Sequence, residues 1–454
     1  MKQGKIIRDF TQGPLFWPLL SFALPFMLSN ALQVAYSMTD MLITGRYVGH
    51  TGLSAVATAS QATDFITMVG FGVSTGGQVL ISQLIGKGRR DQLQPTIGTL
   101  FSLVLICAAV ASIGGLTFAR PFLRLLKTPA ESFDSALDYL RVMSCGFIFI
   151  FGYSMVAAVL RGMGDSRHPF WFMMISSVTN VTLDLVFIAG FKWGVFGGAL
   201  ATVMAQALVF LCALVFLYCH RDSFGFDFRL KSLRIHPPIL AVLVKLGIPF
   251  SVRFGAIHIS MLYVNSLING LGVAASATYG VGTRLDNLAN RVSQGVMMAL
   301  STIVGQNMGA GNFQRIRKSV YYGWAICAVM FGAYAMVILT FTREMYGCFT
   351  DNPDVLRLSA VFVKGLILHY PALLIMKGTN GFLQGIGNAN FGLAIALTDG
   401  LIARISLSWL LGIYFKMGLY GFIAGYALAT YVTAIPSMLY FFFWPWEKRK
   451  LVLG

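Results

Sequence analysis

Charged side chains are scarce in this sequence. Asp and Glu together number 17 among 454 residues, and charged residues make up 11% of the chain, against roughly 25% in soluble globular proteins. Hydrophobic residues make up 56%, and the mean hydropathy is +0.72. This composition excludes an ordinary soluble domain and predicts an integral membrane protein.

Several motifs are also missing. The sequence has no Walker loop and no HExxH pair, which disfavours a membrane enzyme. The first residues lack the short apolar core and small-residue cleavage site of a secretory signal, so we expect the first hydrophobic stretch to remain as a helix. The cysteines have no disulfide or metal-site spacing, and we interpret them as packing residues. They are Cys107, Cys145, Cys212, Cys219, Cys327 and Cys348.

Twelve apolar stretches account for most of the chain, each near or above the roughly 20 residues that a membrane-spanning helix needs. They are Pro14–Leu42, Leu53–Ile81, Leu93–Ala119, Phe133–Leu160, Phe170–Gly190, Val195–Tyr218, Ile239–Ile268, Ala275–Val304, Val320–Thr342, Val355–Leu383, Phe391–Phe415 and Leu419–Phe443. We predict an all-α membrane protein with an N-terminal six-helix lobe over 1–219, a cytoplasmic linker over 220–238 and a C-terminal six-helix lobe over 239–454.

Basic loops on the cytoplasmic side explain much of the net charge of +17. With both termini in the cytoplasm, the inside loops carry eighteen Lys and Arg residues and the outside loops carry eight. This bias follows the positive-inside rule and predicts a plasma (inner) membrane protein with both ends cytoplasmic. No zinc-finger spacing or isolated basic tail indicates nucleic acid as a partner.

The two halves of the chain repeat each other. ISQLIGKGRRDQL over Ile81–Leu93 matches IVGQNMGAGNFQRI over Ile303–Ile316, and LRGMGD over Leu160–Asp165 matches LQGIGN over Leu383–Asn388. Pro25 in the first stretch likewise matches Pro249 in the seventh. A duplicated six-helix unit in one topology suits a transporter with alternating access.

An acid lies inside the fifth stretch, FWFMMISSVTNVTLDLVFIAG. Asp184 is its one ionisable side chain, and Asn180 precedes it by one helical turn, so both point the same way. Because a carboxylate at membrane depth is costly, the pair favours a proton or cation site. The alternative is a structural carboxylate that bonds to polar groups of a neighbouring helix.

These features resemble the multidrug and toxic compound extrusion (MATE) family. The resemblance rests on the repeated halves, the GxG turns, the RGMGD/QGIGN turns, Asp40 in MTDMLITGRYVG and the Asn180–Asp184 pair. It implies a V-shaped bundle of two six-helix lobes that exports drugs or other small organic compounds in exchange for H⁺ or Na⁺. It also implies a coupling site at Asp40, Asn180, Asp184 and Thr202, no cofactor, and a monomer whose partners are substrate and lipid.

Other residues carry open alternatives. Asp40 is either part of the coupling site or a helix-end residue in contact with water, and Pro25 is either a hinge of the first helix or a tolerated membrane proline. His258 and His369 are interpreted as packing residues. We lean towards H⁺ as the coupling ion because two acids with few charged neighbours suit proton exchange.

The C-terminal half lacks an equivalent acidic site but is rich in basic residues. Arg284, Asn287 and Arg291 share one helix face, and Asn265 aligns with Asp40. These four are candidates for a cavity that binds an anionic or zwitterionic substrate; alternatively, the arginines pair with Asp286 or Asp399 or lie at the membrane interface. A flippase for an anionic lipid-linked precursor is therefore a second hypothesis, and a channel a third.

Overall fold

The computed structural model describes residues 7–126, 128–227 and 229–453, without the side chains of 222, 223, 230, 254, 258 and 259. Within these ranges all regular structure is helical, which confirms the predicted all-α fold. Lys2, Lys5 and Lys127, which contribute to the predicted orientation, lie outside the described residues, as does the His258 side chain.

Twelve long helices of the described ranges follow the predicted stretches. They are α1 Phe16–Tyr47, α2 Gly49–Gly86, α3 Leu93–Leu125, α4 Ala130–Gly162, α5 Arg167–Asp184, α6 Gly194–Cys219, α7 Pro237–Asn269, α8 Val273–Gly309, α9 Phe313–Thr340, α10 Pro353–Ile367 with His369–Gly385, α11 Ala389–Leu397 with Arg404–Trp409, and α12 Gly418–Phe443. Three π-helical segments belong to this set: Leu185–Gly190 continues α5, Thr398–Ala403 interrupts α11 and Leu410–Tyr414 continues it. The short helices are Arg90–Gln92, Arg221–Phe224, Leu230–Leu233, Thr342–Gly347 and Trp446–Lys448.

Ten helices of the described chain are long and apolar enough to cross a membrane, and α10 makes an eleventh if its two pieces, bent by 41°, form one span. The remaining predicted span lies in α8. That helix has 37 residues and is long enough to cross, but Arg284, Asp286 and Arg291 fall within two of its turns and reduce its hydropathy.

The backbone repeats as the sequence does. Residues with positive φ recur in pairs 223 or 224 positions apart: Gly49 and Gly272, Gly88 and Gly311, Gly164 and Gly387, Lys192 and Lys416, Gly194 and Gly418. Gly88 and Gly311 are the second glycines of the two GxG turns, where the left-handed conformation requires a residue without Cβ. The repeated motifs therefore make the same turns in both halves.

The described helices divide into two compact units. Unit 1 contains residues 7–9, 28–251 and 453, and unit 2 contains residues 10–27 and 252–452. The division after Ser251 falls inside α7 and not in the predicted linker 220–238, and the first part of α1 belongs to unit 2. Packing explains both differences, because Phe22 and Phe26 of α1 are buried in the core of unit 2, and Leu243 of α7 is buried in the core of unit 1.

The linker is anchored on unit 1 by α3. Ser102 of α3 donates a hydrogen bond to the Leu233 carbonyl at 2.5 Å, and Gln94 donates one to Ser232 at 3.0 Å. Earlier in the linker, hydrogen bonds from the Ser232 hydroxyl and the Arg229 amide lower the pKa of Asp227 from its ordinary value. The segment that leads into α7 is therefore held in place by polar contacts.

A corresponding segment leads into α1 and is held by unit 2. The Phe10 amide donates a hydrogen bond to Gln306 Oε1 at 2.9 Å, and Asn307 donates one to the Phe10 carbonyl at 3.3 Å. Arg315 donates to the carbonyls of Phe10, Gln12 and Gly13 at 2.9 to 3.2 Å. One guanidinium thus binds most of this segment.

Replacing Arg315 by Ala should release residues 10–13. Each lost hydrogen bond to a charged group contributes roughly 1.5–3 kcal/mol, so amide hydrogen exchange in this segment should accelerate by at least about tenfold. The exposed Lys318 lies on the same helix and makes Lys318→Ala a matched control. Exchange rates equal to those of the control would show that Arg315 does not hold the segment.

Candidate functional site

Asp184 is fully buried at the end of α5. Its exposed fraction is 0%, and neither carboxylate oxygen has a hydrogen-bond partner among the described residues. The helix changes from α to π immediately after it, at Leu185. Because buried carboxylates are nearly always satisfied, and π segments are often found at functional sites, Asp184 is a candidate functional residue.

Two other predicted residues lie beside Asp184. Asn180, 4% exposed, donates a hydrogen bond from Nδ2 to Thr202 Oγ1 at 3.3 Å, and the Thr202 hydroxyl donates to the Gly198 carbonyl at 3.1 Å. This directed chain of donors leaves the Asn180 amide oxygen as an acceptor. The structure therefore places Asn180, Asp184 and Thr202 close together, with oxygen atoms of the kind that can accept a proton or bind a hard cation. Their role in ion coupling stays a prediction.

Gly198 belongs to this site and escaped the sequence analysis. A Cβ at this position would lie 4.0 Å from Asp184 Oδ1 and 3.3 Å from the Ile188 side chain, so glycine keeps the space beside the carboxylate open. The available signal was the Gly197–Gly198 pair one turn before Thr202, since paired glycines inside an apolar helix indicate close approach of another group.

Asp40 lies on the part of α1 that belongs to unit 1 and is half-buried. Its charge interacts with that of Asp184, although no hydrogen bond joins the two carboxylates. The fourth predicted residue is therefore an electrostatic neighbour of the site and does not contact it directly. A second negative charge near a buried carboxylate favours binding of a proton or cation.

Asp64, another acid of unit 1, escaped the sequence analysis. Asp64, on α2, and Asp40 both act electrostatically on the buried Tyr139, whose hydroxyl shares a hydrogen bond with Ser60. The sequence signal was an acid within the apolar stretch Leu53–Ile81, of the same kind that drew attention to Asp184. Asp64 is exposed, so it is not part of the buried site.

The candidates in unit 2 lie at its surface. Asn265, Arg284, Asn287 and Arg291 are all exposed, and their predicted role in binding substrate stays a prediction. Of the two acids suggested as partners, Asp399 pairs with Arg404 at 3.0 Å and Asp286 lies 3.8 Å from His369. The structure thus pairs Asp399 with a different arginine.

Pro25 lies within α1, which remains α-helical from Phe16 to Tyr47. It falls two residues before the change from unit 2 to unit 1 after Met27. Since proline removes one backbone hydrogen bond from the helix interior, this position is mechanically weaker than its neighbours.

Comparison with known proteins now identifies the family. The family model described as MatE matches residues 25–186 and 249–410, which together cover more than two thirds of the chain. The two matches begin at the equivalent prolines Pro25 and Pro249. The chain belongs to the MatE family. This confirms the resemblance drawn from the repeated motifs, and with it a family of multi-pass membrane transporters.

Individual relatives match this chain over nearly its full length, and a solved MATE structure has the same fold. The chain is 28% identical to "Probable multidrug resistance protein YpnP" of Bacillus subtilis (strain 168) over 98% of both chains. It is 25% identical to "Probable multidrug resistance protein NorM" of Thermotoga maritima over 96% of this chain and 94% of the relative. The solved outward-facing structure of a multidrug resistance MATE transporter superimposes with a TM-score of 0.90 at 22% identity, covering 98% of each chain.

Proposed function

We propose that this protein is a secondary active exporter that moves small organic molecules out of the cell while H⁺, or alternatively Na⁺, moves in. The observation that supports this proposal is the fully buried carboxylate of Asp184, which lies beside Asn180 and Thr202. Neither of its oxygens has a hydrogen-bond partner in the part of the chain that the structure describes. A group in this environment is stabilised by binding an ion. It can therefore bias one conformation when occupied and another when empty.

Each residue of the coupling site has its own role in this proposal. Asp184 binds the ion, Asn180 supplies a second oxygen, and Thr202 fixes the Asn180 amide. Asp40 adds a second negative charge that attracts the ion. We favour H⁺ because these acids have few charged neighbours; the same oxygens also suit Na⁺.

The relatives support the substrate class. Proteins named for multidrug resistance match this chain over nearly its full length, so drugs and other small organic compounds are the proposed cargo. We place the protein in the plasma (inner) membrane as a monomer with both termini cytoplasmic. An anionic or lipid-linked cargo is the second candidate, and the excess of basic residues in unit 2 favours it.

Dye transport into proteoliposomes tests the exchange and identifies its ion. A pH gradient and a sodium gradient are imposed separately, and accumulation of a fluorescent dye is followed. We expect gradient-dependent, saturable transport with the pH gradient alone. Transport that follows only the sodium gradient would replace H⁺ by Na⁺, and transport that ignores both would refute coupled exchange.

Pro25 is proposed as the hinge of α1. If the missing backbone hydrogen bond lets the helix bend when the ion binds, Pro25→Ala should lower the efflux rate several-fold while dye affinity stays unchanged. Pro121, which also lies inside a helix, offers a control variant, Pro121→Ala. An efflux rate and ion dependence equal to those of the unmodified protein would eliminate the hinge role.

A further inference from the structure

Lys377 is a buried cation without a carboxylate partner. It lies on the second piece of α10, is 3% exposed, and donates hydrogen bonds to the Asn290 carbonyl at 3.2 Å, to Asn290 Oδ1 at 2.5 Å and to Gln294 Oε1 at 3.3 Å. All three acceptors are neutral and belong to α8. They satisfy the geometry of an ammonium group without balancing its charge.

Other cations surround it. The charges of Arg253, on α7, and of Arg291, on α8 between Asn290 and Gln294, both act on Lys377. Arg253 Nη1 would lie 3.5 Å from a Cβ at Gly392, so this guanidinium points towards the start of α11. Among the described residues, neither Lys377 nor Arg253 has an ion pair.

Two nearby acids act on this group, Asp399 on Arg253 and Asp286 on Lys377, but both also contact other side chains. Asp399 is bound by Arg404 at 3.0 and 3.2 Å and by the Thr433 hydroxyl at 3.0 Å. Asp286, which also acts on Lys377, lies 3.8 Å from His369. Three cations, Arg253, Lys377 and Arg404, thus share two acids within unit 2, and the exposed Arg291 also acts on Lys377.

An excess of positive charge in the interior of a membrane protein is strongly unfavourable unless an anion balances it. We propose that unit 2 binds an anionic group of the transported molecule, a carboxylate, phosphate or sulfonate, at Lys377 and Arg253 with Arg291 at its edge. This rests on the transport function proposed above and names the chemistry of its cargo. Arg253 supplies a planar fork of donors, and Lys377 supplies a point charge.

Two dyes of one shape and opposite charge test this assignment. Fluorescein is dianionic and rhodamine 123 cationic on the same xanthene ring system, and their binding to the detergent-solubilised full chain is measured by fluorescence anisotropy. We expect fluorescein to bind at least about tenfold more tightly, as one charge-assisted hydrogen bond would give. Equal affinities, or a preference for rhodamine 123, would overturn the proposal.

Substitutions test whether Lys377 and Arg253 are responsible for fluorescein binding. Lys377→Gln and Arg253→Gln keep amide donors and lose the charge, so each should weaken fluorescein binding about tenfold and leave rhodamine 123 binding unchanged. Lys364→Gln, at an exposed lysine on the first piece of α10, should bind like the unmodified protein. If Lys377 only ties α10 to α8, Lys377→Gln would retain full fluorescein affinity, and the proposal would be wrong.

Two further readouts separate the remaining possibilities. Phosphatidylglycerol retained in native mass spectrometry by the unmodified protein and lost from Lys377→Gln would assign the anion to a lipid headgroup. Equal retention would assign it to a soluble organic anion. Asp184→Asn should keep fluorescein affinity while losing coupled transport, so a failure of anion binding and a failure of ion coupling are distinguishable.

Discussion

Replacing Asp184 by Asn is expected to abolish gradient-driven accumulation while the protein remains folded. The amide cannot take up a proton and binds a cation weakly, so the free energy that links ion and conformation is lost. Coupling energies of roughly 1–3 kcal/mol correspond to about 5- to 150-fold, and the dye accumulation ratio should fall by at least about tenfold. Asp40→Asn should lower it less, because Asp40 is a half-buried neighbour of the site.

The stability of the same variant provides a control. Asp184 is buried without a partner, so replacing its carboxylate by an amide should not lower the unfolding temperature in detergent. Asp91→Asn, at an exposed acid outside the long helices, should transport normally. A normal accumulation ratio in Asp184→Asn would exclude this residue from ion coupling.

The second large effect is expected in unit 2, where Asp399→Ala should destabilise the protein by about 3–5 kcal/mol. Arg404 binds both oxygens of Asp399, and its guanidinium lies 4.5 Å from the centre of the Tyr426 ring. Arg404 and Asp399 are 4% and 2% exposed. Removing the acid leaves a buried guanidinium without its counter-charge.

Denaturant unfolding in detergent measures this loss. The double variant Asp399→Leu/Arg404→Met should recover most of the stability, because it removes both charges and leaves apolar side chains of similar length. Asp354 and Arg357 form an exposed pair at 3.8 Å, so Asp354→Ala should cost less than about 1 kcal/mol. If the Asp399 and Asp354 variants lost equal stability, the buried pair would have no special role.

Helical periodicity and motif repetition predicted much of this molecule. The spans and the repeated turns at Gly88 and Gly311 follow from local sequence, since each depends on spacing within a helix or on a turn that needs glycine. The grouping of Thr202 with Asn180 came from the family resemblance, because these residues lie on different helices. The assignment of the first half of α1 to unit 2 does not follow, because an apolar face does not specify its neighbour.

Two contacts depend on features that α-helical spacing conceals. Asp399 and Arg404 are five residues apart, and the π-helical segment Thr398–Ala403 brings them onto one face, which a period of 3.6 residues does not predict. Gly198 matters because it has no side chain, and its role beside Asp184 becomes visible only when α5 and α6 are packed together. Tertiary packing therefore decides these parts of the site.

Ion movement driven by cargo tests the central claim most directly. Vesicles containing the protein and an internal pH indicator are loaded with substrate on one side in the absence of any ion gradient, and internal pH is recorded. Substrate-dependent proton flux in the unmodified protein, absent from the Asp40→Asn/Asp184→Asn double variant, is the predicted result. An undiminished proton flux in the double variant would show that these acids do not exchange an ion for cargo.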